Sequence, residues 1–353
     1  MTSESSPPPE TPQIVPKVAK PRLASVDILR SVSIFGVVFI HAAWLLGCLS
    51  PGSENLEYMF RVAVPCFVVM WAFFYEKGYS KRTGEARKKY FWARLKRLLS
   101  VFLIWSCIYF LIEVDWSSLT FKSFFSKHFL GYGWSGQYFF IILLQLQVLF
   151  PWLRSLCFKR KLRGLIMLAV FCLYIIWGYG HEWLPNIAQK LGERPFIFWI
   201  PHVFLGIAIS HVKANQHHTS HFQWLNKRFP WWLLCSILII PLEFNTLNHN
   251  HYLTPAVLLA SSLFVLPFLT QDIVLPSKLN AQFNWFGSNT MTLFVANPLL
   301  IKLWHQVLAP KGLETCSVLD FIWRPLLSTV IVVISGVLLA ILINRTPLKG
   351  VVN

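Results

Sequence analysis

Long apolar runs alternate with short polar connections along this chain. The runs lie near 27–49, 59–76, 98–114, 136–152, 163–180, 196–211, 231–247, 253–270, 288–306 and 322–344. A helix rises about 1.5 Å per residue, so roughly 20 apolar residues cross a hydrocarbon layer about 30 Å thick. The pattern predicts an all-α integral membrane protein, a bundle of about ten transmembrane helices. The shortest run is tolerable inside a bundle or beside a thinned bilayer. No internal repeat and no GxxxG-type seam stands out in the runs.

The polar connections then orient the bundle. The richest in cations joins the second and third runs, with Lys77, Lys81, Arg82, Arg87, Lys88, Lys89, Arg94, Lys96 and Arg97. Arg154, Lys159, Arg160, Lys161 and Arg163 fall between the fourth and fifth runs, and Lys213, Lys227 and Arg228 between the sixth and seventh. The alternate connections are poorer in Lys and Arg. By the positive-inside rule, ten spans put both termini in the cytosol. The expected organisation is a Pro- and Ser-rich disordered cytosolic tail over 1–22, a transmembrane domain over 23–345 and a short cytosolic tail over 346–353. No cleavable signal peptide is expected, so the first helix itself directs insertion, and the expected location is a plasma membrane, the inner membrane in a bacterium.

Composition agrees. The chain is 55% hydrophobic with a mean hydropathy of +0.52, too apolar for a soluble domain. A net charge of +17 suits a nucleic-acid binder in principle, but the cations cluster between apolar runs and no nucleic-acid partner is expected. The seven cysteines form no CxxC and no Cys/His ligand spacing, which predicts neither a disulfide framework nor a metal site. The histidines His217, His218 and His221 are irregularly spaced in a connection and do not read as ligands.

Candidate chemistry begins in the first span. Asp27, Arg30 and His41 share a sector of about 60° on a helical wheel. Arg30 and His41 lie about 16 Å apart along the axis, which predicts a cation near one membrane surface and an imidazole about halfway across. An ionisable side chain at that depth marks a functional site by default. Arg61 opens the second span, either snorkelling to the interface or pointing inward to bind an anion. Arg94 and Arg97 share a helix face at the start of the third span. Two guanidiniums on one face suit a pyrophosphate, although alone the pair reads more readily as a positive-inside anchor. Gln137, Gln145, Gln147, His202, Glu243, Asn289 and Asn297 are further polar groups within runs. Trp134 is among the tryptophans at run ends that suggest an interfacial belt.

The Arg–ten residues–His pattern, with the phrase RLASVDILRSVSIFGVVFIHA, resembles the membrane-bound acyltransferase-3 family. So do Arg61 with VAVPCFVVMWAFF, the Arg-x-x-Arg of YFWARLKRLLSVFLIW, the block WSGQYFFIILLQLQVLFPWL and the late block WFGSNTMTLFVANPLL. The chain departs from the pattern at Met70-Trp71-Ala72-Phe73, at Gln137-Tyr138 in place of Trp-Phe, and at Asn297 in place of a frequent His. The resemblance implies transfer of an acyl group, expected to be acetyl, from cytosolic acyl-coenzyme A to a hydroxyl of a sugar or polysaccharide, an O-acetylation by a stand-alone enzyme. It implies acyl-coenzyme A as co-substrate, no further cofactor, and a sugar acceptor and membrane lipids as partners.

On this reading His41 is the general base, acting as neutral imidazole with Arg30 in the catalytic pair. Arg94 and Arg97, with Arg30, hold the phosphates of coenzyme A, and Arg61 orients the acceptor or stabilises developing charge. The competing expectation is a transporter or exporter of a glycan or small molecule, in which the same groups mark a substrate or proton path.

Overall fold

The computed structural model describes residues 23–46, 56–114, 120–129, 131–180, 183–214, 228–247, 252–271, 273–308 and 320–346. The tail 1–22, most of 346–353, and His217, His218 and His221 lie outside the described residues. The described chain is helical, with no strand. In order it forms α1 Ala24–Ala42, α2 Leu56–Tyr79, α3 Gly84–Glu113, α4 Phe121–Phe129, α5 Gln137–Phe158 and α6 Arg160–Tyr179. It continues with α7 Asn186–Leu191, α8 Phe196–Ala214, α9 Phe229–Leu247, α10 Pro255–Thr270, α11 Ser277–Leu308 and α12 Asp320–Asn344.

Every predicted run coincides with one of these helices. Among the described residues, eight helices are long and apolar enough to cross a membrane: α1, α2, α3, α5, α6, α8, α9 and α12. The protein is a multi-pass helical membrane bundle. α10 is apolar but short, and α11 is long but its first half, SKLNAQFNWFGSNT, is polar. That polarity has a structural reason, because this half of α11 lines a cavity.

The layers follow from which faces are apolar. α2 is the most enclosed of the spans, packed against α8, α1 and α10, while α1 also packs on α11 and α12. α6, α9 and α12 ring the outside and expose Leu165, Leu168, Leu238, Leu242, Ile334 and Leu338. Such apolar exposure is costly in water and neutral against lipid tails.

α11 carries Pro298, which has no N–H and frees a backbone carbonyl one turn earlier. Asn297 fills that gap, its Nδ2 donating to the Phe294 carbonyl at 2.6 Å. The Tyr109 hydroxyl of α3 inserts beside it, donating to the Val295 carbonyl at 2.7 Å and accepting from the Leu299 N–H at 3.1 Å. With no water at membrane depth, such substitutes are what let a proline persist in a span. Asn297 therefore has a local structural task.

α1 ends at Ala42, earlier than the run that predicted it, and residues 43–46 form turns. His41 consequently stands in the last turn of α1, not at the middle of a longer helix.

Candidate active site

Arg30, Arg94 and Arg97 line one cavity of about 1060 Å³. α1 supplies Arg30, α2 supplies Trp71, Phe74 and Tyr75, α3 supplies Tyr90 and the arginine pair, and α11 supplies Asn284, Trp285 and Ser288. Arg30 is held from two sides: its Nη1 pairs with Asp27 Oδ1 at 3.4 Å, and its guanidinium sits 5.0 Å over the Phe74 ring. Asp27 itself is buried against α11 at Gly287, where a Cβ would come within 2.4 Å of its carboxylate oxygen, so only glycine lets the two helices approach this closely. Arg94 lies 5.3 Å over Tyr90, while Trp71 and Tyr75 stack at 5.5 Å and Gln147 donates to the Tyr75 hydroxyl at 2.7 Å. The cavity thus combines fixed guanidiniums with flat aromatic walls. That suits a ligand bearing both phosphates and a planar base.

His41 does not line this cavity; it sits at the far end of α1 among other groups. Its Nδ1 lies 3.4 Å from the Ser135 Oγ. Arg61, at the start of α2, is close enough to act electrostatically on the imidazole. The Arg61 side chain is 12% exposed, pairs with Glu57 at 3.4 Å, and stacks 5.1 Å from Tyr58 and 4.6 Å from Tyr252. Tyr252 and Tyr138 share a hydrogen bond beside it. Burial pushes the Tyr252 phenol up, and the neighbouring Arg61 cation opposes the shift. Arg194 adds a second cation, 3.8 Å over Tyr132 and 5.9 Å from the Tyr138 ring. Arg61, which acts on the imidazole, is thereby linked through the Tyr252–Tyr138 pair to Arg194, joining segments far apart in sequence.

A family model for an acyltransferase domain matches residues 23–345. The chain belongs to the membrane acyltransferase-3 family. No curated protein and no solved structure matches it. Acyl transfer is thus the general chemistry of this domain, and the Arg–ten residues–His and Arg-x-x-Arg patterns of the sequence fall, in this acyltransferase, into two separate groups. Arg30 of the first signature joins Arg94 and Arg97 of the second, whereas His41 joins Arg61.

Other candidates in the acyltransferase have local partners. His202 is buried on α8 with Nε2 3.1 Å from Ser261 Oγ, a tie between α8 and α10. Glu243 accepts from the Thr254 hydroxyl at 2.6 Å and from the Tyr179 hydroxyl, and lines a different, apolar cavity with Arg163 and Phe204. Gln145 receives the Phe196 N–H at 3.0 Å and donates to the Arg194 carbonyl, so it shapes the segment that carries Arg194. Trp134 is no interfacial anchor: it is 5% exposed and stacks on Tyr109 at 4.8 Å.

Several site residues had no sequence signal of their own. Tyr252 is in a connection, which carries no periodicity, and Ser135, although inside the block WSGQYFFIILLQLQVLFPWL, precedes the apolar run and has no spacing that ties it to His41. Trp285 opens the late block and Asn284 immediately precedes it, yet nothing in their spacing pairs them with Arg94 or Arg30.

Proposed function

We propose that this protein transfers an acyl group, acetyl in the simplest case, from acyl-coenzyme A to a hydroxyl of a sugar or surface polysaccharide. The observation that carries the proposal is the meeting of Arg30, Arg94 and Arg97, from two helices, in one aromatic-walled cavity. Three guanidiniums match the phosphates of coenzyme A, and Trp71, Tyr75, Tyr90 and Trp285 offer faces for its base. The basic connections favour the cytosol as the side on which that cavity opens, and cytosolic acyl-coenzyme A is the donor this fits. Its extended arm would run along α1 toward His41, about 16 Å from Arg30 along the axis.

At the far end His41 is the proton acceptor for the attacking hydroxyl. Arg61 supplies positive potential where the carbonyl oxygen gains charge. Tyrosines 132, 138 and 252 give that end the flat polar surfaces a sugar ring uses. The location proposed is the bacterial inner membrane, with donor and acceptor reaching the site from opposite faces.

The test uses the purified full chain in lipid nanodiscs with radiolabelled acetyl-coenzyme A. Acyl transfer to saccharide extracted from the host envelope is expected from the wild type and not from His41→Ala. A wild type that neither binds nor consumes acetyl-coenzyme A would overturn the reading and favour a transporter.

A further inference from the structure

The loop that presents a group to His41 is unusually well fixed. Left-handed backbone at Gly131 and Gly136, with φ of +77° and +90°, makes the turn between α4 and α5. Gln137 clamps it, accepting from the Gly133 N–H at 2.6 Å and donating to Ser106 Oγ at 2.9 Å. Trp134 pins it through the stack on Tyr109. Within this loop Gly133, Trp134, Gly136 and Gln137 are buried, but Ser135 is exposed. One hydroxyl is therefore held out on a rigid turn, with its Oγ 3.4 Å from His41 Nδ1 and a cation, Arg61, acting on the same imidazole. Nucleophile and base are in this relation in serine acyl-transfer sites, where the contact is often long before substrate arrives.

We propose that Ser135 is a covalent relay, taking the acyl group from the donor thioester and passing it to the acceptor hydroxyl. The proposal rests on the acyl-thioester donor of the preceding subsection. In the first step His41 removes the Ser135 Oγ proton, Oγ attacks the thioester carbonyl, and the C–S bond breaks. The departing thiolate takes the proton from His41 and leaves as the free thiol. In the second step His41 removes the acceptor hydroxyl proton, the acceptor oxygen attacks the serine ester, and the ester C–O bond to Oγ breaks. Oγ recovers a proton from His41. No oxidant, metal or further reactant enters. The carbonyl oxygen carries its negative charge near Arg61 in both steps. A relay also fits the separation of the two regions, because donor and acceptor need not occupy the site together.

The experiment is acceptor-free labelling of the full chain in nanodiscs with radiolabelled acetyl-coenzyme A. The expected result is a burst of free thiol stoichiometric with protein, a label that survives denaturation and is cleaved by alkali, and its location in the peptide holding Ser135. Ser135→Ala should take up no label and lose at least ~10²-fold in transfer. Ser135→Cys should take up label as a thioester, released by neutral hydroxylamine, which guards against a variant that merely misfolds. A wild type that transfers acetyl to envelope saccharide but never holds label overturns the relay and leaves the acyltransferase reading intact. So does Ser135→Ala with transfer within threefold of wild type, or label on another residue. A wild type that releases no thiol with or without saccharide overturns both.

Discussion

The cavity at the basic end and the cluster around His41 differ in how they hold positive charge. In the cavity, Arg94 and Arg97 come from consecutive turns of one helix and Arg30 is steadied by Asp27, so the cations are spread along a wall with room for an extended anionic ligand. Around His41 the charge is compact: Arg61 is largely enclosed, clasped by Glu57 and two tyrosine faces, and beside it stands an imidazole with a serine. A spread of charge grips a substrate; an enclosed, fixed charge stabilises a transition state. The proposed division of labour between the two ends of α1 rests on that contrast.

His41→Ala offers the severest trial of the contrast. Turnover should fall by ~10³-fold or more, while calorimetry shows acetyl-coenzyme A binding retained. Lost binding would merge the two regions into one. Next in size is the double change Arg94→Ala with Arg97→Ala. Charge-assisted contacts contribute about 1.5–3 kcal/mol each, so the KM for acetyl-coenzyme A should rise at least ~10-fold with kcat nearly unchanged. A fall in kcat at constant KM would instead reduce the pair to structural anchors.

Arg61→Lys sharpens the other side. It keeps the charge but loses the planar stack on Tyr58 and Tyr252, and kcat should drop by roughly 10-fold without moving the donor KM. Tyr109→Phe should touch turnover least. It strips the substitute hydrogen bonds from Val295 and Leu299 at the α11 proline, and thermal unfolding in detergent should report a loss of about 1–3 kcal/mol with both kinetic constants near wild type. A large kinetic effect there would mean that the hydroxyl's bonds at the α11 proline also hold the site in shape, since phenylalanine keeps the ring that stacks on Trp134.

Much of the fold was legible because a bilayer imposes a length and a polarity on each span, and both are one-dimensional properties. The ten runs correspond to ten helices for that reason, and α11 was found despite its polar half because its second half is apolar. Arg94 and Arg97 were legible as a pair because three residues apart on a helix is a spatial statement. His41 was legible as a candidate, but its place in the last turn of α1 was not, since the apolar letters after Ala42 do not continue the regular helix. Trp134 was misassigned for a related reason: an aromatic residue at a run end reads as interfacial until a neighbour such as Tyr109 covers it.

What the sequence alone determined is therefore what order along the chain carries: the places of the ten apolar helices, eight of them long and apolar enough to span, the basic end of the bundle, and the spacing of Arg30 and His41. Tertiary structure decided which helices meet. Gly287 lets α11 press on Asp27 and brings Trp285 and Asn284 to the arginines, and a clamped glycine turn sets Ser135 against His41. Those contacts join residues more than ninety positions apart in the case of Ser135 and His41. No periodicity within a single segment encodes them, because they depend on close packing between surfaces that only the assembled bundle creates.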